Sequence, residues 1–295
     1  MISTSADNSR NRHVRGNQER FRRFFTHAPS YLVLSAWSLF TIFVIAWVVI
    51  ASLKTNAEIF RDVFSLPDVW QFSNYAKAWN AANFAVYFRN SIIVTFSSVI
   101  LILVVSAPAA YVLSRMNFRG RSVITTIFIA GMGIPTMLLL IPLFVIITRL
   151  GVVNTLPGLI LVYVTVAIPF TVYILTGFFA SLPKELEEAG VIDGASDFGV
   201  FRRIMLPLAS PGLITAAIFN GISIWNEYLL VLVFVADSEK RTLSLGLYSL
   251  QNAMQYTGDW VGLFAGVCIV MIPTIILFVV LSERMISGIT MGAVK

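Results

Sequence analysis

The sequence predicts an all-α polytopic membrane protein with six transmembrane helices. Of its 295 residues, 57% are hydrophobic and 12% are charged, and the mean hydropathy is +0.82. Soluble domains are about 45–50% apolar and about 25% charged, so this chain has half the charge that a soluble particle of its size carries on its surface. Disordered chains combine low hydrophobicity with high net charge. Both of those classes are therefore excluded.

Six apolar runs are long enough to cross a hydrocarbon core about 30 Å thick, which requires about 20 helical residues. They lie at 31–53, 92–114, 122–148, 156–180, 212–236 and 261–281, and the only charge within them is Glu227. Continuous apolarity favours helices, because barrel strands alternate in polarity and are about half as long. The first run follows 30 mostly polar residues and is too long for the apolar part of a cleavable signal peptide.

The distribution of Lys and Arg predicts the orientation of these helices. Fourteen of the 21 lie in the N-terminal tail, the 115–121 and 181–211 loops and the C-terminal tail, and seven lie in the alternate segments. This bias predicts that both termini are cytoplasmic. The chain then divides into a basic tail (1–30), a transmembrane domain (31–283) and a C-terminal tail (284–295). The net charge of +6 is explained by topology and by attraction to anionic membrane lipid, and no nucleic-acid partner is expected.

Residues that disfavour regular helix fall inside three of the runs. Proline removes a backbone hydrogen bond that lipid cannot replace, so a neighbouring helix or a wet cavity must satisfy the freed group. Transporters use such helices to line pathways or to form hinges, although membrane helices also tolerate proline generally. The residues are Gly131, Gly133, Pro135 and Pro142 in the third run, Pro169 in the fourth and Pro273 in the sixth.

The segment 181–211 is polar, with five acidic and three basic residues, yet it has the apolar spacing of two short helices. Gly194 stands where the first helix would end in a left-handed cap. Ser196 can cap the second helix, which Pro207 and Pro211 would end. One face of that second helix would carry Phe198, Phe201 and Met205. A helical hairpin that projects from the membrane, with acids on one arm and aromatic residues on the other, is typical of a docking element.

This loop resembles the signature of binding-protein-dependent ABC importer permeases. Glu188-Ala189-Gly190 is followed after three residues by Gly194, and after nine more by Ile204-Met205-Leu206-Pro207. The family pattern is E-A-A, three residues, Gly, nine residues and I-x-L-P, and Asp193-Gly194-Ala195 has the form usual in carbohydrate permeases. Gly190 stands where alanine is usual. That change lowers helix propensity by about 1 kcal/mol and is expected to leave the contact surface small.

The resemblance covers the chain after its first 30 residues. It implies the type I importer fold, and the chain is most similar to the six-helix inner-membrane subunit of maltose-type importers, which are multi-pass proteins of bacterial or archaeal cytoplasmic membranes. The further matching segments are Ser52-Leu53-Lys54, Glu58-Ile59-Phe60, Asn74-Tyr75, Asn90-Ser91, Ile141-Pro142-Leu143-Phe144, Leu150-Gly151, Asn154-Thr155, Trp225-Asn226-Glu227 and Gly292-Ala293-Val294-Lys295.

In this family the loop inserts into a cleft on a separate ATPase subunit, where the glutamate contacts a basic residue and the glycine permits the sharp turn. The resemblance therefore implies four kinds of partner: an ATPase dimer, a second homologous permease that completes a heterodimer, an external solute-binding protein and membrane lipid. The residues implied in ATPase coupling are Glu188, Ala189, Gly190, Asp193, Gly194, Ala195, Phe198, Phe201 and Pro207.

The sequence predicts that this chain is not itself an enzyme. It contains no G-x-x-x-x-G-K-[ST] phosphate-binding loop, so ATP and Mg are expected on the partner ATPase, and no cofactor is expected here. No metal site is expected either, because the two histidines lie in the polar N-terminal tail and the single cysteine lies in an apolar run.

Trp225, Asn226 and Glu227 have two main interpretations, and a proton relay is a third for Glu227, although a relay usually needs several intramembrane ionisable residues and the six runs contain one. A carboxylate inside a span costs about 2.5–3.5 kcal/mol on insertion scales, so Glu227 should face protein or water. The three residues either line a sugar path, or they tie the fifth helix to its neighbours through interhelical hydrogen bonds. We favour the tie, because the larger permease holds the sugar in maltose-type systems.

The sequence thus predicts a permease subunit of an ATP-driven importer that moves a mono- or oligosaccharide by alternating access. The same architecture also suits a polyamine or a glycerophosphodiester. An ion-driven secondary transporter would have paired intramembrane charges, and a membrane-embedded enzyme would have a nucleophile–base pair or metal ligands inside the spans. The six apolar runs contain neither pattern.

Overall fold

The computed structural model describes residues 5–81 and 83–293, and every regular element in those ranges is helical. The predicted all-α class is confirmed. The chain forms two compact units, which meet in sequence between Gln71 and Phe72. Residues 1–4 and 294–295, at the ends of the two predicted tails, lie outside the described residues.

The first unit contains α1 (Ser5–Ser52) and α2 (Asn56–Arg61). The second unit contains twelve further helices, a π-helical turn and a 3₁₀ turn within the described ranges. In chain order these are α3 (Ser73–Ala81), α4 (Phe84–Arg115), α5 (Arg121–Met132), α6 (Thr136–Arg149), α7 (Leu156–Ser181), α8 (Glu185–Ile192), α9 (Asp197–Val200), the π turn (Phe201–Met205), α10 (Leu206–Leu208), α11 (Ser210–Asn226), α12 (Leu229–Phe234), the 3₁₀ turn (Ser238–Lys240), α13 (Leu243–Thr257) and α14 (Trp260–Ala293).

Within the described residues, four helices are long and apolar enough to cross a membrane: Pro29–Ser52 of α1, α4, α7 and Trp260–Val280 of α14. Two bent pairs bring the number to six if each pair is one span. The helices α5 and α6 meet at 106°, and Asp197–Leu208 meets α11 at 70°. The helices continue through Pro169 in α7 and Pro273 in α14.

The third predicted span is interrupted where the sequence indicated, but not at every residue named. The helix breaks at Gly133, Ile134 and Pro135, because proline disfavours helical backbone at the residue before it. Pro142, in contrast, does not interrupt α6, which runs on to Arg149. On α5, a Cβ added to Gly131 would lie 3.4 Å from Pro169 Cγ of α7, so the two helices approach closely there.

The fifth predicted span, 212–236, is not one continuous helix. The helix α11 ends at Asn226, Glu227 adopts an extended backbone with φ −77° and ψ 131°, and α12 begins at Leu229. The Glu227 carboxylate accepts the backbone N–H of Leu230 at 2.9 Å. That bond satisfies one of the donors left free at the start of a helix, and so stabilises the break that the apolar composition of the run did not indicate.

In the first unit, the chain after α1 folds tightly around a buried lysine. The Lys54 ammonium is fully buried and donates to the carbonyl oxygens of Asp62 and Val63 at 3.0 and 3.2 Å. At the start of α2, Thr55 and Glu58 form a capping box. The backbone N–H groups of Thr55 and Asp68 donate to the Glu58 carboxylate and lower the pKa of that carboxyl below its ordinary value. This connection is therefore an ordered structure.

Three clusters of buried apolar side chains lie in the described part of the second unit, and α4 and α7 both contribute to two of them. The first cluster joins these two helices to α6 and α12 through side chains such as Tyr163 and Phe234. The second joins Tyr111 of α4 and Phe179 of α7 to residues 200–209. The segment that follows α7 is thus packed on the same pair of helices that supports the rest of the unit.

Candidate functional site

The segment 181–211, which we call the signature loop, turns at Gly194 in the way the sequence predicts. Gly194 has φ +79°, in the left-handed region. The N–H of Ala195 donates to the carbonyl of Gly190, and the N–H of Gly194 to that of Val191, both at 3.0 Å. These two bonds form the Schellman motif that ends α8. The first arm of the loop is therefore α8, and the chain reverses at a residue that only glycine fits without strain.

The second arm, Asp197–Leu208, packs into the core of the second unit. Ser196 caps it as predicted, since its hydroxyl accepts the N–H of Gly199 at 3.2 Å. Phe201 and Met205 are buried in the second cluster. The ring centroid of Phe201 lies 5.1 Å from that of Tyr111 on α4 and 6.3 Å from that of Phe179 on α7. The second arm is thus fixed to both helices by aromatic contacts.

The predicted coupling residues do not all lie on one surface. Glu188, Ala189, Asp193 and Gly194 are exposed, Ala195 is half-buried, and Pro207 is exposed. Phe198 is 67% exposed, whereas Phe201 is 8% exposed, so the predicted common face of Phe198, Phe201 and Met205 is divided between surface and core. The exposed surface also includes Ile192, which is 84% exposed. It therefore combines carboxylates with large apolar side chains.

Gly190 differs from the expectation that it keeps the contact surface small, because it is buried between the two arms of the loop. A Cβ added there would lie 2.7 Å from Ile204 Cδ1 and 3.1 Å from Val200 Cγ2. The missing side chain therefore lets the two arms approach each other. Alanine, usual at this position in the family, would require the end of the Ile204 side chain to move.

Arg115, the last residue of α4, holds the start of the loop, and sequence reasoning missed this role. Its Nε lies 3.1 Å from Glu187 Oε1 in an ion pair whose side chains are 5% and 21% exposed. Its Nη2 donates to the carbonyl oxygens of Leu182 and Pro183. In the sequence, Arg115 was considered only as one of the basic residues that predict orientation. Its position directly after an apolar run was the one available signal of a contact with the loop.

The second arm ends close to Pro207. Since proline has no N–H, the carbonyl of Arg203 lacks its α-helical donor, and the arm stops at Leu208 after the π-helical turn. The next helix, α11, begins at Ser210 with Pro211 in its first turn, a position where the missing N–H has no helical partner in any case. The two helices meet at 70°, so the loop leads directly into the fifth predicted span.

Trp225, Asn226 and Glu227 point to three different environments. Trp225 is buried, with its ring centroid 5.8 Å from that of Phe88 on α4. Asn226 is exposed, and its amide donates to the carbonyl of Ile222 in its own helix at 2.8 Å. Glu227 accepts the hydroxyl of Tyr163 on α7 at 2.8 Å. Trp225 and Glu227 thus make the contacts of a helix–helix tie, and no pattern in the sequence indicated Tyr163 as the partner.

A cavity of about 610 Å³ lies beside Glu227. Its walls come from the break between α5 and α6, from the middle of α7, and from α11 with the start of α12. Its lining residues include Pro135, Tyr163, Phe170, Phe219, Asn220, Ser223 and Glu227. Among these, the Asn220 amide donates to Thr171 Oγ1 of α7 at 2.9 Å. Polar groups from α7 and α11 therefore meet around a space that two broken helices border.

Comparison with known proteins identifies related chains over most of the sequence. Residues 102–286 match the model of a family described as the binding-protein-dependent transport system inner membrane component. The diacetylchitobiose uptake system permease protein NgcG of Streptomyces coelicolor is 40% identical over 274 residues, which cover 93% of this chain and 90% of that protein. The matched family segment contains the signature loop, the cavity and Arg115.

Solved structures share the fold. A crystal structure of a bacterial ABC transporter involved in the import of the acidic polysaccharide alginate contains a chain that matches with a TM-score of 0.75 and 27% identity, over 90% of this chain and 97% of that one. A second crystal structure, of a bacterial alginate ABC transporter in complex with an alginate pentasaccharide-bound periplasmic protein, matches with a TM-score of 0.67 over the same shares at 14% identity. The second likeness concerns the fold alone.

Proposed function

Because the chain belongs to the family of inner membrane components of binding-protein-dependent transport systems, we propose that it is the permease subunit of an ATP-driven importer that moves a sugar across the cytoplasmic membrane by alternating access. The proposed solute is a mono- or oligosaccharide. In support, one relative has a diacetylchitobiose uptake system in its name, and a structural neighbour with 27% identity belongs to a transporter that imports alginate.

The observation that carries this proposal is the division of the signature loop into an exposed arm and an anchored arm. Glu188 is exposed on the first arm, whereas Phe201 on the second arm packs against Tyr111 and Phe179 of the two central helices. A force applied to the exposed arm therefore reaches α4 and α7 through a packed core, which deforms little. Such a loop can pass the motion of a partner to the membrane helices as rigid-body movement.

The partner of the exposed arm in this proposal is an ATPase dimer, which binds ATP and Mg. Glu188 contacts a basic residue in a cleft of that subunit, and the exposed Phe198 enters an apolar socket beside it. Asp193 adds a second carboxylate to the same surface. When ATP draws the two ATPase subunits together, the loop moves with them, and the permease changes the side from which the solute is accessible.

The rest of the proposed assembly comprises a second homologous permease and an external solute-binding protein. The family description names dependence on a binding protein, and the resemblance to maltose-type subunits favours a heterodimer of permeases. The proposed location is the cytoplasmic membrane of a bacterium or archaeon, with several membrane crossings, both termini and the signature loop on the cytoplasmic side. A non-sugar solute such as a polyamine or glycerophosphodiester is the alternative substrate, and an ion-driven secondary transporter is the alternative mechanism.

The proposal is tested with the complex purified together with its co-expressed neighbours and reconstituted in liposomes. Glu188→Ala removes the exposed carboxylate without altering a buried contact, so the protein inserts normally while ATP-driven uptake falls about tenfold or more, as expected for loss of a central charged contact. Glu185→Ala is the matched control, since Glu185 is also an exposed acid in the first turn of α8. Uptake and ATP hydrolysis are measured for each.

Gly194→Leu provides a second variant that acts through the backbone. A Cβ at this position would meet nothing within 4 Å, so within the chain the expected cost is the strain of a left-handed leucine, about 1–2 kcal/mol, and the added side chain also enlarges the docking surface. We expect uptake to become uncoupled from ATP hydrolysis. Normal uptake in both the Glu188 and Gly194 variants would contradict the docking role of the loop, and uptake that is insensitive to ATP depletion would contradict the importer itself.

A further inference from the structure

The cavity beside Glu227 lies where two interrupted helices meet. One is the bend of 106° between α5 and α6, and the other is the break between α11 and α12. Transporters build solute sites from discontinuous helices near the middle of the membrane, because irregular backbone is tolerated there only if it lines a cavity or is buried in protein. The cavity is therefore in the kind of position where a transported solute is held.

We propose that this cavity is a solute subsite contributed by this subunit, that it takes an uncharged, hydroxyl-rich solute, and that Glu227 is the hydrogen-bond acceptor that disfavours anionic solutes. The proposal rests on the proposed function as a solute permease. It differs from the interpretation of Glu227 as a helix tie alone, because it assigns the remaining acceptor capacity of the carboxylate to the solute.

The orientation of the Glu227 carboxylate is fixed by two donors. The Tyr163 hydroxyl donates to Oε2 at 2.8 Å, and the Leu230 N–H lies 2.9 and 3.1 Å from Oε1 and Oε2. An ionised carboxylate has about four acceptor positions, so these donors leave capacity for a further hydrogen bond. Because Glu227 is half-buried and lines the cavity, the free positions are available to a hydroxyl group of a solute.

The size and walls of the cavity suit a small sugar. Its volume of about 610 Å³ falls within the range of about 300–1,000 Å³ that ligand pockets occupy. Phe170 and Phe219 meet edge to face on its wall, with ring centroids 6.2 Å apart. Two polar residues of α11, Asn220 and Ser223, also line this space. Apolar walls with a few converging polar groups are the usual composition of a site for a small organic ligand.

The charge of the cavity gives it selectivity. Among the described residues that line it, Glu227 is the only acid and there is no Lys, Arg or His. A single carboxylate on a largely apolar wall produces a negative potential in the space beside it, which no lining cation offsets. A uronic acid or a sulfonated sugar would bring a second negative charge close to the first. Neutral hydroxyl groups, in contrast, donate to the carboxylate without adding a like charge.

Thiol labelling tests this potential and needs neither ATP nor a known solute. Cys268 is the single cysteine of the sequence and is buried, so a Cys268→Ala background allows Ser223→Cys to place one thiol on the cavity wall. The rates of reaction with a cationic and an anionic methanethiosulfonate reagent are compared in the purified complex. We expect the cationic reagent to react about tenfold faster relative to the anionic one than it does with free cysteine, and we expect this preference to disappear when Glu227→Gln is added.

Thr165→Cys in the same background is the matched control, because Thr165 is exposed on α7 and does not line the cavity. For this control, the ratio of the cationic to the anionic reaction rate should be the same with and without Glu227→Gln. If Ser223→Cys does not react, or if its preference for the cationic reagent survives Glu227→Gln, the cavity is not an aqueous site with the potential of Glu227, and the proposal is overturned.

A filling variant then tests whether the solute passes through this space. Ser223→Phe occupies the cavity and should reduce uptake at least tenfold, while the binding protein still stimulates ATP hydrolysis; Thr165→Phe should retain uptake. Normal uptake by Ser223→Phe would show that the solute does not use this cavity. Failure of the proposed function has a different signature, since the unmodified complex would then lack ATP-driven uptake while the labelling result stands.

Discussion

Arg115 ends α4 and joins that helix to the start of the signature loop. Its guanidinium is almost fully buried, where a charge is costly unless it is paired, and it satisfies this need with the Glu187 carboxylate and the carbonyls of Leu182 and Pro183. The planar guanidinium can serve several acceptors at once, which a lysine ammonium does with less fixed geometry. Arg115 is thus a positioning residue for the loop.

Arg115→Gln is expected to destabilise the complex by about 1–3 kcal/mol, because Glu187 and two carbonyl oxygens lose their donor. Glu187→Gln should cost less, since Arg115 keeps both carbonyl acceptors. Both variants should raise the amount of ATP hydrolysed per molecule of solute imported, because the first arm then moves without α4. The thermal midpoint of the purified complex and the ratio of hydrolysis to uptake are the measurements.

The double variant Arg115→Glu with Glu187→Arg distinguishes the contribution of the ion pair from that of the hydrogen bonds to the carbonyl groups. It can restore the pair, but a glutamate at position 115 cannot donate to Leu182. Partial recovery of the coupling ratio relative to either single exchange is expected. An unchanged ratio in all of these variants would mean that the contact serves folding only.

At the residue scale, the sequence was sufficient to predict features whose hydrogen bonds join residues close together in the chain. The left-handed turn at Gly194 and the cap at Ser196 each depend on bonds within five residues along the chain, so they could be predicted from spacing and residue type. The partners of Arg115 and Glu227 could not be predicted. Glu187 follows Arg115 by 72 positions, and Tyr163 precedes Glu227 by 64, and only the packing of α4, α7 and α11 brings them together.

At the scale of elements, the two aromatic residues of the second arm have separate tasks. Phe201 is enclosed by Tyr111 and Phe179, whereas Phe198 is exposed although its ring centroid lies only 6.2 Å from that of Phe201. The sequence predicted one aromatic face for this arm. It could not show that residues 200–209 would pack on α4 and α7, and this tertiary contact decides which aromatic ring is available to a partner.

Phe201→Ala and Phe198→Ala form a matched pair that tests this division. Phe201→Ala should lower the stability of the purified permease by about 3 kcal/mol or more, because it opens a cavity in the second cluster. Phe198→Ala should change stability by less than about 0.5 kcal/mol, as surface substitutions usually do, but weaken binding of the ATPase about tenfold. Thermal midpoints and the affinity for the isolated ATPase distinguish the two effects.

The reverse result, in which Phe198→Ala unfolds the protein and Phe201→Ala weakens binding alone, would contradict the packing.

The two broken spans illustrate the same limit of sequence reasoning. The break at Pro135 was predicted because proline acts on the residue next to it. The break at Glu227 was not predicted, because the surrounding sequence is as apolar as that of an intact span. The break is stabilised by the Glu227 carboxylate, which accepts a backbone N–H at the start of α12.

At the scale of the whole molecule, the distribution of charge predicts the orientation in the membrane. The segments predicted to be cytoplasmic hold fourteen Lys and Arg residues, against seven in the alternate segments. Basic residues close to apolar segments are retained on the cytoplasmic side during insertion. The signature loop lies among the segments predicted to be cytoplasmic, as the proposed contact with an ATPase requires, so the orientation and the coupling role depend on each other.

Two single-cysteine variants test the orientation, again in the Cys268→Ala background. Arg119 is exposed in the connection between α4 and α5, on the side predicted to be cytoplasmic, and Tyr256 is 91% exposed near the end of α13, on the side predicted to be external. The cells are first stripped of their outer layers, with the cytoplasmic membrane left intact. A membrane-impermeant maleimide added to them should label Tyr256→Cys immediately. It should label Arg119→Cys only after the membrane is permeabilised, because the reagent cannot otherwise reach that side. Labelling of Arg119→Cys in intact cells, with protection of Tyr256→Cys, would place the signature loop outside and remove the physical basis for its contact with an ATPase.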